Sequence, residues 1–214
     1  KLTSYDLFSA TGIGQFMGFR NWAAGQGADD NGIRANNLIS YYTPNFGGFN
    51  AGFGYAFDEK QTIGTADSVG RYIGGYVAYD NGPLSASLGV AQQKTAVGGL
   101  ATDRDEITLG ASYNFGVAKL NAGFNKAERA GSEDQEYQVG VSAPFGATTV
   151  YFGYANGKQE NTAGATMEER SGFDLAATYA LSKRTTAYAG YKAYEIKNTD
   201  KEATAFGVGV RHVF

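Results

Sequence analysis

Apolar and polar residues alternate with a period of two through most of the chain, which is the pattern of β-strands whose two faces meet different surroundings. The alternation predicts eleven strands. They lie at residues 33–42, 48–56, 71–79, 83–91, 105–113, 117–126, 136–143, 147–155, 172–179, 185–194 and 203–214. No comparable helical pattern occurs, so the sequence predicts an all-β fold.

The connections between these strands are predicted to alternate in length. Short turns are expected at residues 44–47, 80–82, 114–116, 144–146 and 180–184. Longer polar stretches are expected at residues 58–70, 92–104, 127–135, 156–171 and 195–202. Outer-membrane barrels have tight turns at the periplasmic rim and long loops outside, so this arrangement favours a transmembrane antiparallel β-barrel over a soluble β-sandwich.

The strand ends support a membrane setting. Four tyrosines each precede a predicted short turn and would form an aromatic girdle at one rim: Tyr41, Tyr79, Tyr113 and Tyr179. The last strand alternates large apolar residues with small or polar ones and ends on Phe214, which we expect to act as the terminal signal for membrane insertion.

Composition agrees with a β-rich membrane protein. The chain has 31 Gly, 15 Tyr and 14 Phe but only 1 Trp and 3 Pro, so small and aromatic residues are unusually frequent. No stretch approaches the roughly 18 apolar residues that a transmembrane helix needs, so any membrane span must be β.

The chain offers little material for chemistry. It has no cysteine, and its one histidine, His212, lies on the predicted outward face, where an interfacial role is favoured over general-base catalysis. A net charge of −3 gives no general reason to bind nucleic acid. We therefore expect no enzymatic activity, no cofactor, no metal site and no nucleic-acid partner.

Residues 1–32 differ from the rest because they lack steady alternation. They nevertheless contain Phe8, Phe16 and Trp22 among other apolar side chains, too many for a freely solvated loop. We expect this segment to fold back inside the barrel.

Three stretches resemble a known family. Residues 34–49 (RANNLISYYTPNFGGF), 176–186 (AATYALSKRTT) and 207–214 (GVGVRHVF) resemble the trimeric general porins of β-proteobacteria and their neisserial relatives. The resemblance implies a sixteen-stranded, homotrimeric, water-filled barrel in the outer membrane, whose third extracellular loop narrows the pore.

Eleven strands depart from that pattern, because bacterial barrels use an even number. Five strands before the third loop would complete sixteen. The chain is therefore expected to be the carboxy-terminal portion of a porin, with residues 1–32 as the constriction loop and residues 33–214 as strands 6 to 16 of one barrel domain. The alternative is a smaller barrel closed by other means.

The predicted function is passive diffusion of ions and small hydrophilic solutes, with weak anion selectivity. Candidate residues for the constriction and the selectivity are Arg20, Arg34, Asp6, Lys119, Glu106 and Asp174. A surface ion pair would explain each of these charges equally well. The alternative function is an adhesion or binding barrel that acts through its loops. The expected partners are further copies of the chain in a homotrimer, outer-membrane lipid and lipopolysaccharide, and the permeating solutes.

Overall fold

The computed structural model describes residues 37–58, 70–97, 100–197 and 199–214. These residues form eleven β-strands. The strands are β1 (Leu38–Tyr42), β2 (Phe49–Ala56), β3 (Tyr72–Asn81), β4 (Leu84–Val97), β5 (Leu100–Asn114), β6 (Lys119–Arg129), β7 (Ser132–Phe145), β8 (Thr148–Asn161), β9 (Thr166–Ala180), β10 (Thr185–Ile196) and β11 (Lys201–His212). Within these residues, no helix is long and apolar enough to cross a membrane.

The strands form one sheet in which each strand pairs with the next along the chain. Every pairing is antiparallel, and the register shifts only between Gln159 and Glu160 on β8 among the pairings described. Strands β1 and β11 are the two edges of the sheet. The predicted all-β antiparallel fold, with eleven strands in this chain, is confirmed.

The two faces of the sheet differ in chemistry and in burial. On β3, Val77 is 54% exposed whereas its neighbour Ala78 is 3% exposed. The same contrast continues along the sheet: Leu109 and Val139 are exposed, whereas the polar side chains of Ser112 and Glu136 are buried. We call the apolar exposed face the outer face and the polar face the inner face. Because the inner face is the more buried, the sheet curves with its polar side concave.

Most strands extend well beyond the predicted ends. Strand β8 was expected to end at residue 155 but continues to Asn161, and β9 begins at Thr166 rather than residue 172. Only Ala130 and Gly131 separate β6 from β7. The prediction of long loops at residues 92–104, 127–135, 156–171 and 195–202 is therefore wrong, whereas most of residues 58–70 lie outside the described part of the chain.

The reason is that the alternation of apolar and polar residues stops where the outer face becomes polar, although the strand itself continues. On the outer face of β7, Tyr137, Val139 and Val141 are apolar, but Gln135 and Glu133 continue the same face as polar residues. Where both faces meet water, hydrophobic alternation disappears while the backbone ladder continues. The polar stretches are thus strand extensions beyond the apolar band.

Aromatic side chains gather at the end of the sheet that carries the β1–β2, β3–β4, β5–β6, β7–β8 and β9–β10 turns. The Phe49 and Tyr79 rings pack with centroids 4.6 Å apart, and Tyr113 and Phe115 pack at the same separation. Other exposed aromatics at this end are Tyr41, Phe46, Phe145, Tyr179 and Phe214. The predicted aromatic rim is confirmed. The role of Phe214 in membrane insertion stays a prediction.

Candidate functional site

The inner face carries three of the charged residues that the sequence suggested. Glu106 lies directly opposite Ala127, and Lys119 shares its face with the buried Asn121 two residues along β6. Asp174 on β9 lies opposite Lys192 on β10. All three therefore face the concave side, as predicted. Arg20, Arg34 and Asp6, together with the proposed loop of residues 1–32, lie outside the described residues.

These three charges are not gathered at one point. Lys119 lies opposite Asn114 at one end of β5, whereas Glu106 is eight residues away on that strand. At about 3.4 Å per residue, this separation is roughly 27 Å along the strand. Asp174 is on β9, three strands beyond Lys119. The inner face therefore presents charges at several heights rather than one charged ring.

Glu106 is held by its neighbours on two strands. Its Oε1 accepts a hydrogen bond from Asn125 Nδ2 at 2.6 Å, and its Oε2 lies 3.5 Å from Arg104 Nη2. The Asn125 amide also donates to Thr108 Oγ1 at 2.8 Å. Hydrogen bonds of this kind hold the Glu106 carboxylate in one orientation on the inner face.

A second ion-pair cluster is centred on the buried Arg170 of β9. Its Nε lies 2.9 Å from Glu168 Oε1, and its Nη2 lies 3.7 Å from Asp134 Oδ1 on β7. Strand β8 passes between them and contributes Gly157, opposite both Glu136 and Arg170. A Cβ at Gly157 would lie 3.0 Å from Glu136 Cγ, so the glycine leaves room for this carboxylate beside Arg170.

Strand β10 sorts cleanly into faces, which its sequence alone did not. Tyr188, Lys192 and Tyr194 are on the inner face and Tyr191 is on the outer face, as their pairing with β9 requires. Lys192 Nζ lies 5.6 Å from the centre of the Tyr194 ring. A cation at this distance is attracted by the face of the ring. Lys192 is thus buried, with the Tyr194 ring near its amine and Asp174 opposite it on β9.

Sequence reasoning missed Arg104, Arg129 and Arg170 on the inner face. All three lay in stretches predicted to be loops, where no face was assigned. Counting alternate residues back from Glu106 gives Arg104, and counting back from Asp174 gives Arg170. The alternation that assigns these arginines to the inner face was therefore present in the sequence. It was not applied to them because the predicted strands ended too early.

Comparison with known proteins identifies the family. A family model described as Gram-negative porin matches residues 2–212. The chain belongs to the Gram-negative porins. This porin is 66% identical over 220 residues to outer membrane porin protein 32 of Delftia acidovorans, covering 100% of this chain and 60% of that protein. It is 34% identical over 230 residues to an outer membrane porin protein of Bordetella pertussis, covering 86% of this chain and 59% of that protein.

Solved structures give the same fold. An anion-selective porin from Comamonas acidovorans superposes with a TM-score of 0.86 at 61% identity, covering 100% of this chain and 70% of that one. The trimer form of OmpT from Vibrio cholerae shares the fold, with a TM-score of 0.67 at 20% identity, covering 82% of this chain and 64% of that one. The porin chain spans about 60% of the length of the curated relatives that it matches.

These comparisons place this porin in the bacterial outer membrane, as the sequence predicted. The fold and the family are those of porins, and the expected absence of enzymatic activity stays a prediction. The family and the relatives named above are described as porins, which gives no support to the alternative of adhesion.

Proposed function

We propose that this chain forms most of the wall of a water-filled channel for passive diffusion of ions and small hydrophilic solutes. The proposal rests on a burial pattern opposite to that of a soluble protein, in which apolar residues are buried and charged residues are exposed. Charged residues such as Glu136, Arg170 and Lys192 are buried on the concave face, while large apolar side chains are exposed on the convex face. A lipid-facing exterior around a polar lumen requires this arrangement.

The channel is proposed to be weakly anion-selective. The structural relative from Comamonas acidovorans is described as anion-selective and shares 61% of its sequence with this chain. On the inner face, Arg104 and Arg129 lie side by side, whereas Glu106 and Asp134 each lie near an arginine. Charges in a narrow aqueous pore focus the field and sort ions by sign.

Residues 1–32 are proposed to be the constriction loop, with Arg20, Arg34 and Asp6 near the narrowest part of the pore. The apolar side chains of this segment, including Phe8, favour contact with a protein wall over exposure to water. Lys119, Glu106 and Asp174 would then act along the wall rather than at the constriction, because they lie far apart on it.

The assembly is proposed to be a homotrimer of sixteen-stranded barrels, in which this chain supplies strands 6 to 16 and the remainder of the protein closes the edges β1 and β11. Unpaired strand edges need partners in lipid, which supports closure by further strands. The exposed outer face, including Leu109 and Val139, would contact membrane lipid. Lipopolysaccharide would meet the polar strand extensions beyond the apolar band.

The test uses the full-length porin extracted in detergent and inserted into a planar bilayer. We expect a mass above 22.7 kDa, stepwise openings in groups of three, and a reversal potential in a salt gradient that shows anion preference. A protein that inserts but conducts no ions would contradict the channel. Single openings would contradict the trimer, and a reversal potential of the opposite sign would contradict the selectivity.

A further inference from the structure

Glu136 on β7 is a carboxylic acid that the inner face buries almost completely. The residue is 3% exposed, and its Oε2 has no hydrogen-bond partner among the described residues. A Cβ added at Gly157 would lie 3.2 Å from Oε1, so the carboxyl group lies against the β8 backbone. A carboxylate removed from water without donors to its oxygens is unstable relative to the neutral acid. These surroundings therefore favour a carboxyl group that keeps its proton.

The residue opposite Glu136 on β6 is Asn125, and its amide protons are already used. Asn125 Nδ2 donates to Glu106 Oε1 at 2.6 Å and to Thr108 Oγ1 at 2.8 Å. An amide nitrogen carries two protons, so only the Asn125 Oδ1 atom remains, and this oxygen can accept a hydrogen bond but not donate one. Asn125 therefore suits a protonated Glu136 better than an ionised one.

The charged groups that face Glu136 come from its own strand and from the strands two places away. They are Asp134 on β7, Glu168 and Arg170 on β9, and Arg104 and Glu106 on β5. The inner-face residues beside Glu136 on β6 and β8 are Asn125, Ala127, Gly157 and Gln159, none of which titrates. Each of the two arginines is already close to another carboxylate, Arg170 to Glu168 and Arg104 to Glu106. Neither arginine is therefore reserved for Glu136.

Glu136 lies at a height where the outer face is polar. Its neighbours along β7 on that face are Gln135 and Tyr137, and the residues paired with these two on β8 are Lys158 and Asn156. Gln135, Lys158 and Asn156 are polar, and tyrosine is a typical residue of the membrane interface. Glu136 is therefore beyond the apolar band, on the part of β7 that extends out of the membrane.

Burial raises the pKa of the Glu136 carboxyl to about 8. The positive charge of Arg170 lowers this pKa, but its effect is smaller than that of burial. The negative charges of Asp134 and Glu106 raise the pKa further. Glu136 therefore changes its charge between neutral and mildly alkaline pH, where an ordinary carboxyl group is already ionised.

We propose that Glu136 is a specificity-determining residue that makes the ion selectivity of the channel depend on pH, because it holds a proton in neutral solution and releases it in alkaline solution. This inference rests on the proposed function as a channel that prefers anions. The protonated carboxyl group adds no charge beside Arg170. When hydroxide in the lumen takes the proton and forms water, the remaining carboxylate offsets the positive charge of Arg170, and anions are attracted less strongly.

The first experiment measures reversal potentials of the full-length porin in a salt gradient at about pH 6 and about pH 9, on either side of this pKa. The anion-to-cation permeability ratio of the unmodified porin should fall by about twofold between the two conditions, the screened effect of one unit charge. Glu136→Gln keeps the size of the side chain but cannot ionise. It should match the unmodified porin at the lower pH and keep its ratio at the higher pH.

The control variant is Glu133→Gln, which removes a carboxyl group from the outer face of the same strand. Hydrogen bonds from Gln135 and Lys126 lower the pKa of Glu133, so this group is ionised in both conditions, and the variant should keep the pH response of the unmodified porin. An unmodified porin without a pH response, an equal response in Glu136→Gln, or a response lost in Glu133→Gln would overturn the role of Glu136. A protein that conducts no ions at either pH would instead contradict the proposed channel.

A second experiment detects the proton itself. Infrared difference spectra of the folded porin between the same two conditions should contain a band of a protonated carboxyl group at the lower pH, and Glu136→Gln should lack this band. Asp134→Asn removes a negative charge that raises the pKa of Glu136, so the band should disappear at a lower pH in this variant. Identical spectra of Glu136→Gln and the unmodified porin would overturn the protonated state. A band that depends on Glu136 without any change in selectivity would overturn only its role in selectivity.

Discussion

Arg104 and Arg129 lie directly opposite each other on β5 and β6, with both side chains on the inner face. Like charges in this position repel each other. Glu106 offsets the charge of Arg104, while Arg129 Nε donates to Ser132 Oγ at 3.3 Å. Among the described residues, no carboxylate lies within ion-pair distance of Arg129. Arg129 therefore places on the inner face, near the β6–β7 turn, a positive charge that no ion pair among the described residues offsets.

Removal of that charge by Arg129→Gln should weaken anion preference. At roughly 10 Å in water, one unit charge favours an anion and disfavours a cation by about 0.4 kcal/mol each before screening. Screening over about one Debye length reduces this to a change of about twofold in the anion-to-cation permeability ratio. The measurement is the reversal potential in a salt gradient. Lys126→Gln is the matched control, because Lys126 lies on the same strand but on the outer face, paired with Glu128 and Glu133. An equal effect of both variants would contradict a specific role of the lumenal charge.

The proposed constriction gives a related prediction. Arg34→Ala should lower the same permeability ratio by at least the twofold expected of Arg129→Gln, because a charge in the narrowest part of a pore is screened less by water. Reversal potentials measured in parallel for the two variants provide the comparison. An unchanged ratio for Arg34→Ala would remove this residue from the selectivity mechanism.

A charged side chain on the outer face should destabilise the folded porin, because we expect this face to contact lipid. Val139→Arg on β7 is expected to destabilise the folded porin by about 2–4 kcal/mol if it lies near the bilayer midplane. The adjacent Gln138→Arg faces the polar lumen, so its effect should be much smaller. Equilibrium urea titration in phospholipid vesicles compares the two. Similar losses of stability would contradict the assignment of the two faces.

The number of strands and, except for β10, the facing of their residues could be predicted from sequence, but the strand ends could not. Alternation from Tyr137 to Phe145 records the contrast between lipid and lumen, and this contrast ends where the strand leaves the membrane. Beyond that point, Glu133 and Gln135 still follow a regular ladder to Glu160 and Lys158. The predicted alternation of loop lengths was wrong for the same reason, although the barrel-type fold that it favoured is supported by the structure and the family.

From the sequence, site residues could be assigned to a face within each strand, but their neighbours on other strands could not be predicted. Parity along a strand places Glu106 and Lys119 on the inner face. The grouping of Glu136, Gly157 and Arg170 depends instead on the register between three strands. Register is set by where each hairpin turns, and the hairpin between β8 and β9 was predicted as a long loop. The charged cluster around Arg170 therefore could not be assembled from the sequence.

The turn between β1 and β2 depends on Gly48. This residue has φ +100°, and its N–H donates to Asn45 Oδ1 at 2.8 Å. An added Cβ would lie 3.0 Å from the backbone oxygen of Asp80. Gly48→Ala should cost about 1–3 kcal/mol through backbone strain, measured by urea titration. Gly207→Ala on β11, where a Cβ meets nothing within 4 Å, should change stability by less than about 0.5 kcal/mol. Equal effects would contradict the strain at Gly48.

Carboxyl groups on the polar strand extensions should titrate as members of ion pairs. Lys197 Nζ donates to Glu169 Oε1 at 2.6 Å, and this hydrogen bond lowers the pKa of the Glu169 carboxyl below its ordinary value. A lowered folded-state pKa means that the pair stabilises the fold above the unfolded-state pKa. This stabilisation is lost as the pH falls through the folded-state pKa.

Lys197→Met should therefore move the pKa of Glu169 upward, toward the value of an isolated carboxyl. Carbon-detected NMR of the Glu169 side chain in micelles measures this directly, and the variant should differ in stability from the unmodified porin at neutral pH but not in strong acid. Lys201→Met removes a nearby charge that faces the other side of β11 and should leave the titration of Glu169 in place. An unmoved Glu169 pKa in Lys197→Met would show that the outer-face ion pair does not form in solution.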